Sequence, residues 1–425
     1  MKRCMHILKN NLILLIAGIV FGFVALLLVH LLPTELMREH LYWSFDKIED
    51  EFTDEVLIEG NRATLTGNFT DCLMLHHSIY ENEEHSILEQ AMNMYRSETY
   101  NVEGDPEGWW PGQSLKDYLD NTPQPREVSY GRYWHGYLVV LKPLLFLTSF
   151  NTIRLINSAL QLILTGMVIV KITEKNKRNL AKAFLVSIPF LFFVSTYSSL
   201  SLSICFYIML ITLLVQLQWE KQIYDKKRYP EFFFAVGMLT SYFDFFTYPL
   251  ITLAYPLCVY FYLHHEEKKV NEVKQMLVLS LQWGIGYAGM WVGKWILSDL
   301  LTGSNTIKDA LETVFVRSGS AENQNRITGF DDVISLNIQP YANWCFVLLA
   351  VLILLMFVWG MKQCGAKNTF KQIPGSVIFI LIALYPFVWY FLMQNHCEQH
   401  WQYTCRIISV AVFAVTSGLM KSVDK

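Results

Sequence analysis

The feature that most restricts what this chain can fold into is a set of eight stretches with almost no charge. They are Asn11 to Leu32, Ile153 to Val170, Phe184 to Leu217, Phe232 to Leu263, Met276 to Ile296, Trp344 to Gly360, Gly375 to Met393 and Ile407 to Leu419. Only helices and closed barrels satisfy their backbone polar groups inside a bilayer. A helix needs about 20 apolar residues to cross one, and the two longest stretches have room for two spans each, so about ten spans are expected. The composition agrees: 17% of the residues are charged, against about 25% in an ordinary soluble domain. The expected fold class is all-α, a polytopic membrane helical bundle with a large first extracytoplasmic loop.

The first stretch is longer than a usual signal-peptide core and no small-x-small cleavage site follows it, so it is expected to stay as an anchor. The 8 cysteines are scattered without metal-type spacing, and Cys397 and Cys405 read either as two unpaired thiols or as a pair that meets outside the membrane. A net charge of −3 gives no sign of a nucleic-acid partner. Twenty of the 34 Lys and Arg fall in six short segments: Lys2 to Lys9, Lys171 to Lys182, Lys221 to Arg228, Lys268 to Lys274, Lys362 to Lys371, and Lys421 to Lys425. Basic loops stay in the cytoplasm. Ten crossings place all six there, with both termini, provided that Tyr133 to Phe150 does not cross. That segment carries Lys142 and Pro143 in a short apolar core, and it is expected to lie on the outer surface or to be partly re-entrant. Three parts follow: residues 1–32 as an N-terminal transmembrane helix, 33–150 as the outer loop with its surface helices, and 151–425 as the transmembrane bundle with a second outer loop over 299–343.

The large loop, Pro33 to Arg132, holds 21 of the 37 acidic residues and seven Lys or Arg. It is not composed like a disordered tail, because Trp43, Leu57, Leu65, Phe69, Leu73, Met74, Leu75, Trp109 and Trp110 lie in it. Ile87, Leu88, Ala91, Met92 and Tyr95 fall at helical spacing, which predicts a helix over 83–96. Trp109, Trp110 and Pro111 suit the lipid interface. The loop is expected to fold onto the outer face of the bundle.

Charge near a bilayer core is costly and tends to mark function. This topology gathers several such residues at the outer boundary: Asp71, Arg132, His135, Asp244, Lys294, His396, His400 and Arg406. Each also has a plain structural explanation. Asp71 suits a helix start; Asp244 and Lys294 suit an ion pair between spans; Lys294 suits snorkelling to the interface. His396 and His400 are four apart, a metal-type spacing, with no third ligand evident. Taken together, the cations suit a lipid phosphate at that depth, and a carboxylate suits a general base for an acceptor hydroxyl. These are the needs of glycosyl transfer from a polyprenyl-phosphate sugar.

At Thr70 to Leu75, Arg132 to Gly136, Phe243 to Pro249, Trp291 to Trp295 and Asn395 to Arg406 the sequence resembles a bacterial member of the GT-C glycosyltransferase superfamily. The last stretch has the pattern Asn-His-x-x-x-His-x-x-x-x-x-Arg. The resemblance implies Asp71 as catalytic base, Lys294 and Arg406 with His396 or His400 on the donor phosphate, and Asp244, Arg132 and His135 around the sugar or acceptor. It implies a polyprenyl-phosphate-sugar donor, a cell-envelope glycan or lipid as acceptor, and a site facing outward from a bacterial cytoplasmic membrane. The sequence departs from better-known members in having Phe69 where a second acidic residue would stand, and Pro111 after Trp109-Trp110. No cofactor is implied with certainty, and a divalent metal ion is in doubt. The alternative is a transporter or flippase of a lipid-linked saccharide.

Overall fold

The computed structural model describes residues 2–45, 54–99, 110–124, 126–264, 269–319 and 329–424. The chain is mostly helical. It opens with α1 (Lys2–His30), an unbroken apolar helix, followed after Pro33 by the short α2 (Glu35–Phe45). Between α2 and the long helix that begins at Phe150, the chain is built from short pieces: α3 (Asn68–Ile79), α4 (Ile87–Asn93), α5 (Pro111–Leu119) and α6 (Leu138–Leu147). A two-stranded antiparallel ribbon, β1 (Tyr95–Glu98) with β2 (Arg126–Ser129), lies among them.

The helix expected over 83–96 is shorter than its apolar spacing suggested. Ser86 and Glu89 form a capping box that starts α4. Met94, at φ +50°, ends it in a left-handed turn, and Tyr95 and Arg96 then pair with Ser129 and Val128. Strand pairing with a distant segment overrides the local helical period. Trp109 lies outside the described residues, and Trp110 packs edge-on against Phe69 with ring centroids 5.1 Å apart. The ten residues of α6 extend about 15 Å, half of the roughly 30 Å hydrocarbon core. The helix packs on α1 and α2 with Leu138, Leu141 and Leu145 buried.

The remaining helices follow in order. The first are α7 (Phe150–Glu174), α8 (Arg178–Ser187), α9 (Phe193–Ser198), α10 (Leu200–Gln218), α11 (Glu220–Asp225), α12 (Tyr229–Phe243), α13 (Leu250–Leu263) and α14 (Lys269–Thr302). After them come α15 (Thr306–Ser318), α16 (Phe330–Ile338), α17 (Trp344–Cys364), α18 (Ala366–Gln372), α19 (Val377–Ala383), α20 (Tyr385–Leu392), α21 (Gln394–Gln399), α22 (Trp401–Thr404) and α23 (Ile408–Ser422). Among the described residues, five helical runs are long and apolar enough to cross a membrane: Met5–His30, α7, α10, α17 and Trp401–Ser422. A sixth would be a broken one, α18 joined to Val377–Leu392 at a 60° bend. The two longest uncharged stretches each divide into separate helices, one at Ser199 and the other across Asp244 to Pro249. The tightest packing joins α12 to α14. A Cβ on Gly237 would lie 2.0 Å from the Trp283 carbonyl oxygen, and one on Gly286 would lie 2.1 Å from that of Phe234. Small residues let helix backbones approach this closely.

One end of the bundle is fastened by charge. Glu220, just beyond α10, meets Lys175 at 3.2 Å and His264 at 3.1 Å, and Asp424 meets Lys177 at 3.8 Å. Lys421 donates to the carbonyl of Tyr262 at 3.1 Å, and Asn10 donates to Glu231 at 3.1 Å. The ends of α7, α13 and α23 and the starts of α8 and α12 therefore share this end, with several of the basic segments.

Candidate functional site

The opposite end holds a cavity of about 110 Å³ beneath α3. Helix α3 supplies Phe69, Thr70, Leu73, Met74 and His77; the approach to α6 supplies Tyr130, His135 and Tyr137. The α12–α13 turn adds Phe245, Phe246 and Thr247. Arg317 comes from α15, and His396, His400 and Tyr403 come from the α21–α22 segment. Three of the expected residues, His135, His396 and His400, thus meet here with two that the sequence did not single out, His77 and Arg317. Arg317 looked like an ordinary basic residue in the last turn of a helix, which favours cations. His77 sits in an apolar run, and no local pattern marks it.

Hydrogen bonds order the imidazoles. His135 Nε2 lies 2.9 Å from the Tyr130 carbonyl oxygen and its Nδ1 3.0 Å from the Tyr137 hydroxyl, which in turn lies 3.4 Å from His77 Nδ1. Arg317 donates to His396 Nδ1 at 3.2 Å, and the His396 and His400 rings are 4.9 Å apart. Burial disfavours the imidazolium form: it lowers His135 to about 3 and holds His77 and His396 well below 6.5. An imidazole depressed on folding stabilises the fold fully above its unfolded value, and that contribution is lost as the unfolded chain takes up protons that the folded chain refuses. The thermal midpoint in detergent should therefore fall as pH drops from 6.5 toward 4. A flat midpoint across that window would show that these rings are not held neutral.

Asp244 shapes the cavity wall without lining it. Its carboxylate accepts from Phe246 N at 2.9 Å, Thr247 N at 3.0 Å and Thr247 Oγ1 at 2.5 Å. These bonds hold Phe246 at φ +76°, a conformation that costs a bulky residue about 1–3 kcal/mol. Asp244 does not pair with Lys294, which donates instead to the Met92 carbonyl oxygen at 2.6 Å. Ser298 and Thr302 follow Lys294 at four-residue steps along α14, and they reach Met92 O at 3.4 Å and Asn93 Oδ1 at 3.2 Å. Three polar residues on one face of α14 thus grip the C-terminal end of α4, where the helix dipole favours a cation.

The other expected residues lie outside the cavity. Asp71 is 1% exposed, and both carboxylate oxygens are occupied. It accepts from Ser199 Oγ at 3.0 Å, Leu200 N at 2.9 Å and Ser201 N at 2.8 Å, so it caps α10 rather than its own helix. Burial raises its pKa against the pull of Arg154 and of the Ser201 and Leu200 backbone N–H groups. Asp54 plays the matching part for α3, accepting from Phe69 N at 3.2 Å. Arg406 is fully buried and donates to Ala63 O at 3.0 Å, Ser195 Oγ at 2.6 Å, Gln402 O at 2.5 Å and Thr196 Oγ1 at 3.3 Å. All four acceptors are neutral. Cys397 and Cys405 are both free thiols. Among the described residues no group of three His, Cys, Asp or Glu is placed to hold a metal ion.

Two further spaces adjoin the cavity. An apolar groove of about 350 Å³ between α6, α7 and α10 shares Met74 and Tyr137 with it. A pocket of about 200 Å³, lined by Arg132, Trp291, Trp295 and Trp389, shares Phe246 and Arg317. Arg132 is held there by Asp309 at 3.0 Å and lies over the Tyr130 ring. No protein-family model, curated protein or solved structure matches this chain.

Proposed function

We propose that this chain is a membrane glycosyltransferase of the GT-C type, taking a sugar from a polyprenyl-phosphate donor at the outer face of a bacterial cytoplasmic membrane. The acceptor is a cell-envelope glycan or lipid. In this reading the bundle crosses ten times, α6 lies on the outer surface, and the charge-fastened end with both termini faces the cytoplasm. The observation that carries the reading is adjacency. A small cavity walled mainly by aromatic and apolar side chains, with four imidazoles and one guanidinium set among them, shares wall residues with an apolar groove on one side and an arginine- and tryptophan-lined pocket on the other. A ligand with an apolar tail and a hydroxyl-rich head matches that sequence of surfaces. The cavity's position at one end of the bundle disfavours a transporter, whose site lies near mid-depth.

Within this reading the phosphate belongs to Arg317, with Arg132 nearby, because a guanidinium suits a phosphate. Asp71, Lys294 and Arg406 act as ties between the outer loop and the bundle, and Asp244 positions Phe246. The test is binding and transfer in nanodiscs. Undecaprenyl phosphate should bind and undecaprenol should bind far less. Arg317→Gln should weaken binding of the phosphate about 10- to 100-fold, the worth of one or two charge-assisted hydrogen bonds. Envelope glycans from cells with and without the protein should differ by a sugar. Movement of a lipid-linked saccharide across the membrane with no bond formed would favour the flippase instead.

A further inference from the structure

The hydrogen-bond chain beside the cavity has a direction, and the direction fixes which nitrogens of its imidazoles carry protons. The Tyr130 carbonyl can only accept, so His135 Nε2, 2.9 Å away, holds a proton. A neutral His135 then presents a lone pair at Nδ1, and the Tyr137 hydroxyl 3.0 Å from it must donate there. Its single proton spent, the Tyr137 oxygen can only accept from the other side. His77 Nδ1, 3.4 Å away, therefore carries a proton. His77 Nε2 is left with a bare lone pair, and among the described residues it has no hydrogen-bond partner. His396 is set the opposite way. Arg317 can only donate, so His396 Nδ1 accepts from it at 3.2 Å and Nε2 bears the proton. Burial keeps these rings neutral, and without that the tautomers would not be fixed.

A buried acceptor with no partner is costly to leave unmade, and His77 lines the cavity. We propose that His77 Nε2 is a recognition group that accepts a hydrogen bond from a hydroxyl of the ligand's head. A hydroxyl supplies that donor while its oxygen stays free to accept, so the group selects a hydroxyl-bearing saccharide head. A head whose hydroxyls have been alkylated keeps its acceptors, loses its donors, and fails at His77. The inference rests on reading the cavity as a saccharide site. It adds the residue that demands a free hydroxyl and the tyrosine that sets that residue's tautomer. A site built to bond a hydroxyl rejects the analogue lacking it far more strongly than an apolar pocket rejects a change of size.

The test uses the full chain in nanodiscs free of glycoside detergent. Its probes are decyl β-D-glucopyranoside and the same molecule with all four hydroxyls methylated. Wild type should prefer the free glycoside by about tenfold or more, the worth of one buried hydrogen bond. His77→Phe should abolish the preference, and His77→Gln, which carries an oxygen of similar reach, should restore part of it. Imidazole ¹⁵N spectra give a reading that needs no ligand. His77 should show an unprotonated Nε2 that Tyr137→Phe releases into a tautomer mixture. An unchanged preference in a folded His77→Phe, no preference in wild type, or a protonated Nε2 on His77 would each overturn the proposal. Hydroxyl discrimination through His77 without binding of undecaprenyl phosphate would instead leave His77 as assigned and sink the glycosyltransferase reading.

Discussion

Replacing Arg406 by glutamine is expected to remove about 3–5 kcal/mol of folding stability, a large part of what an ordinary protein has. The side chain is fully buried, and its guanidinium ties four neutral acceptors from three parts of the chain: Ala63 between α2 and α3, Ser195 and Thr196 in α9, and Gln402 in α22. Hydrogen bonds to a charged group contribute more than neutral ones, and a buried acceptor stripped of its donor is left unsatisfied. Glutamine is too short to reach all four. Arg406→Lys keeps the charge without the planar fork and should recover only part of the loss. The measurement is the unfolding midpoint in mixed detergent micelles. A wild-type midpoint in Arg406→Gln, together with weakened binding of undecaprenyl phosphate, would return Arg406 to the role of phosphate ligand.

Asp71→Ala should cost about 2–4 kcal/mol, and Asp71→Asn about 1–3 kcal/mol, since both leave donors at the start of α10 without an acceptor. The asparagine result separates two roles. An ordinary helix cap uses one side-chain oxygen, and asparagine serves it about as well as aspartate. Here one carboxylate oxygen takes Ser199 and Ser201 while the other takes Leu200. An amide nitrogen in place of either oxygen would face a backbone N–H, donor against donor. Lowered stability in Asp71→Asn is therefore the signature of the clamp. A general base contributes about 10²–10⁴ in rate, so full stability with transfer reduced by at least a hundredfold would assign Asp71 to catalysis.

Much of the fold was legible because its cause is local. Uncharged stretches form helices wherever they occur, and the two that were too long for one helix broke at Ser199 and across Asp244 to Pro249. His135, His396 and His400 stood out because polar groups beside apolar runs require an explanation. The partners were not legible. Nothing near Asp71 says that it caps a helix starting 129 residues later. Nothing near Lys294 says that its acceptor is a carbonyl at the end of α4. Arg317 and His77 escaped notice for a related reason. A basic residue in a last turn is ordinary in isolation, a histidine inside an apolar run names no partner, and only the meeting of α3, α15 and the α21–α22 segment sets them around one space.

The ties that seat the region between α2 and α7 are far apart in the chain, and that imposes an order on biogenesis. This loop region is synthesised early, yet its fastenings stand at Ser199, Lys294 and Arg406. The bond from Arg406 to Ala63 joins residues 343 apart, which at about 5–20 residues per second means that the loop waits roughly 17–70 s for its last anchor. During that interval its core is half assembled, and a chain that stops before Arg406 leaves Ala63 permanently without that donor.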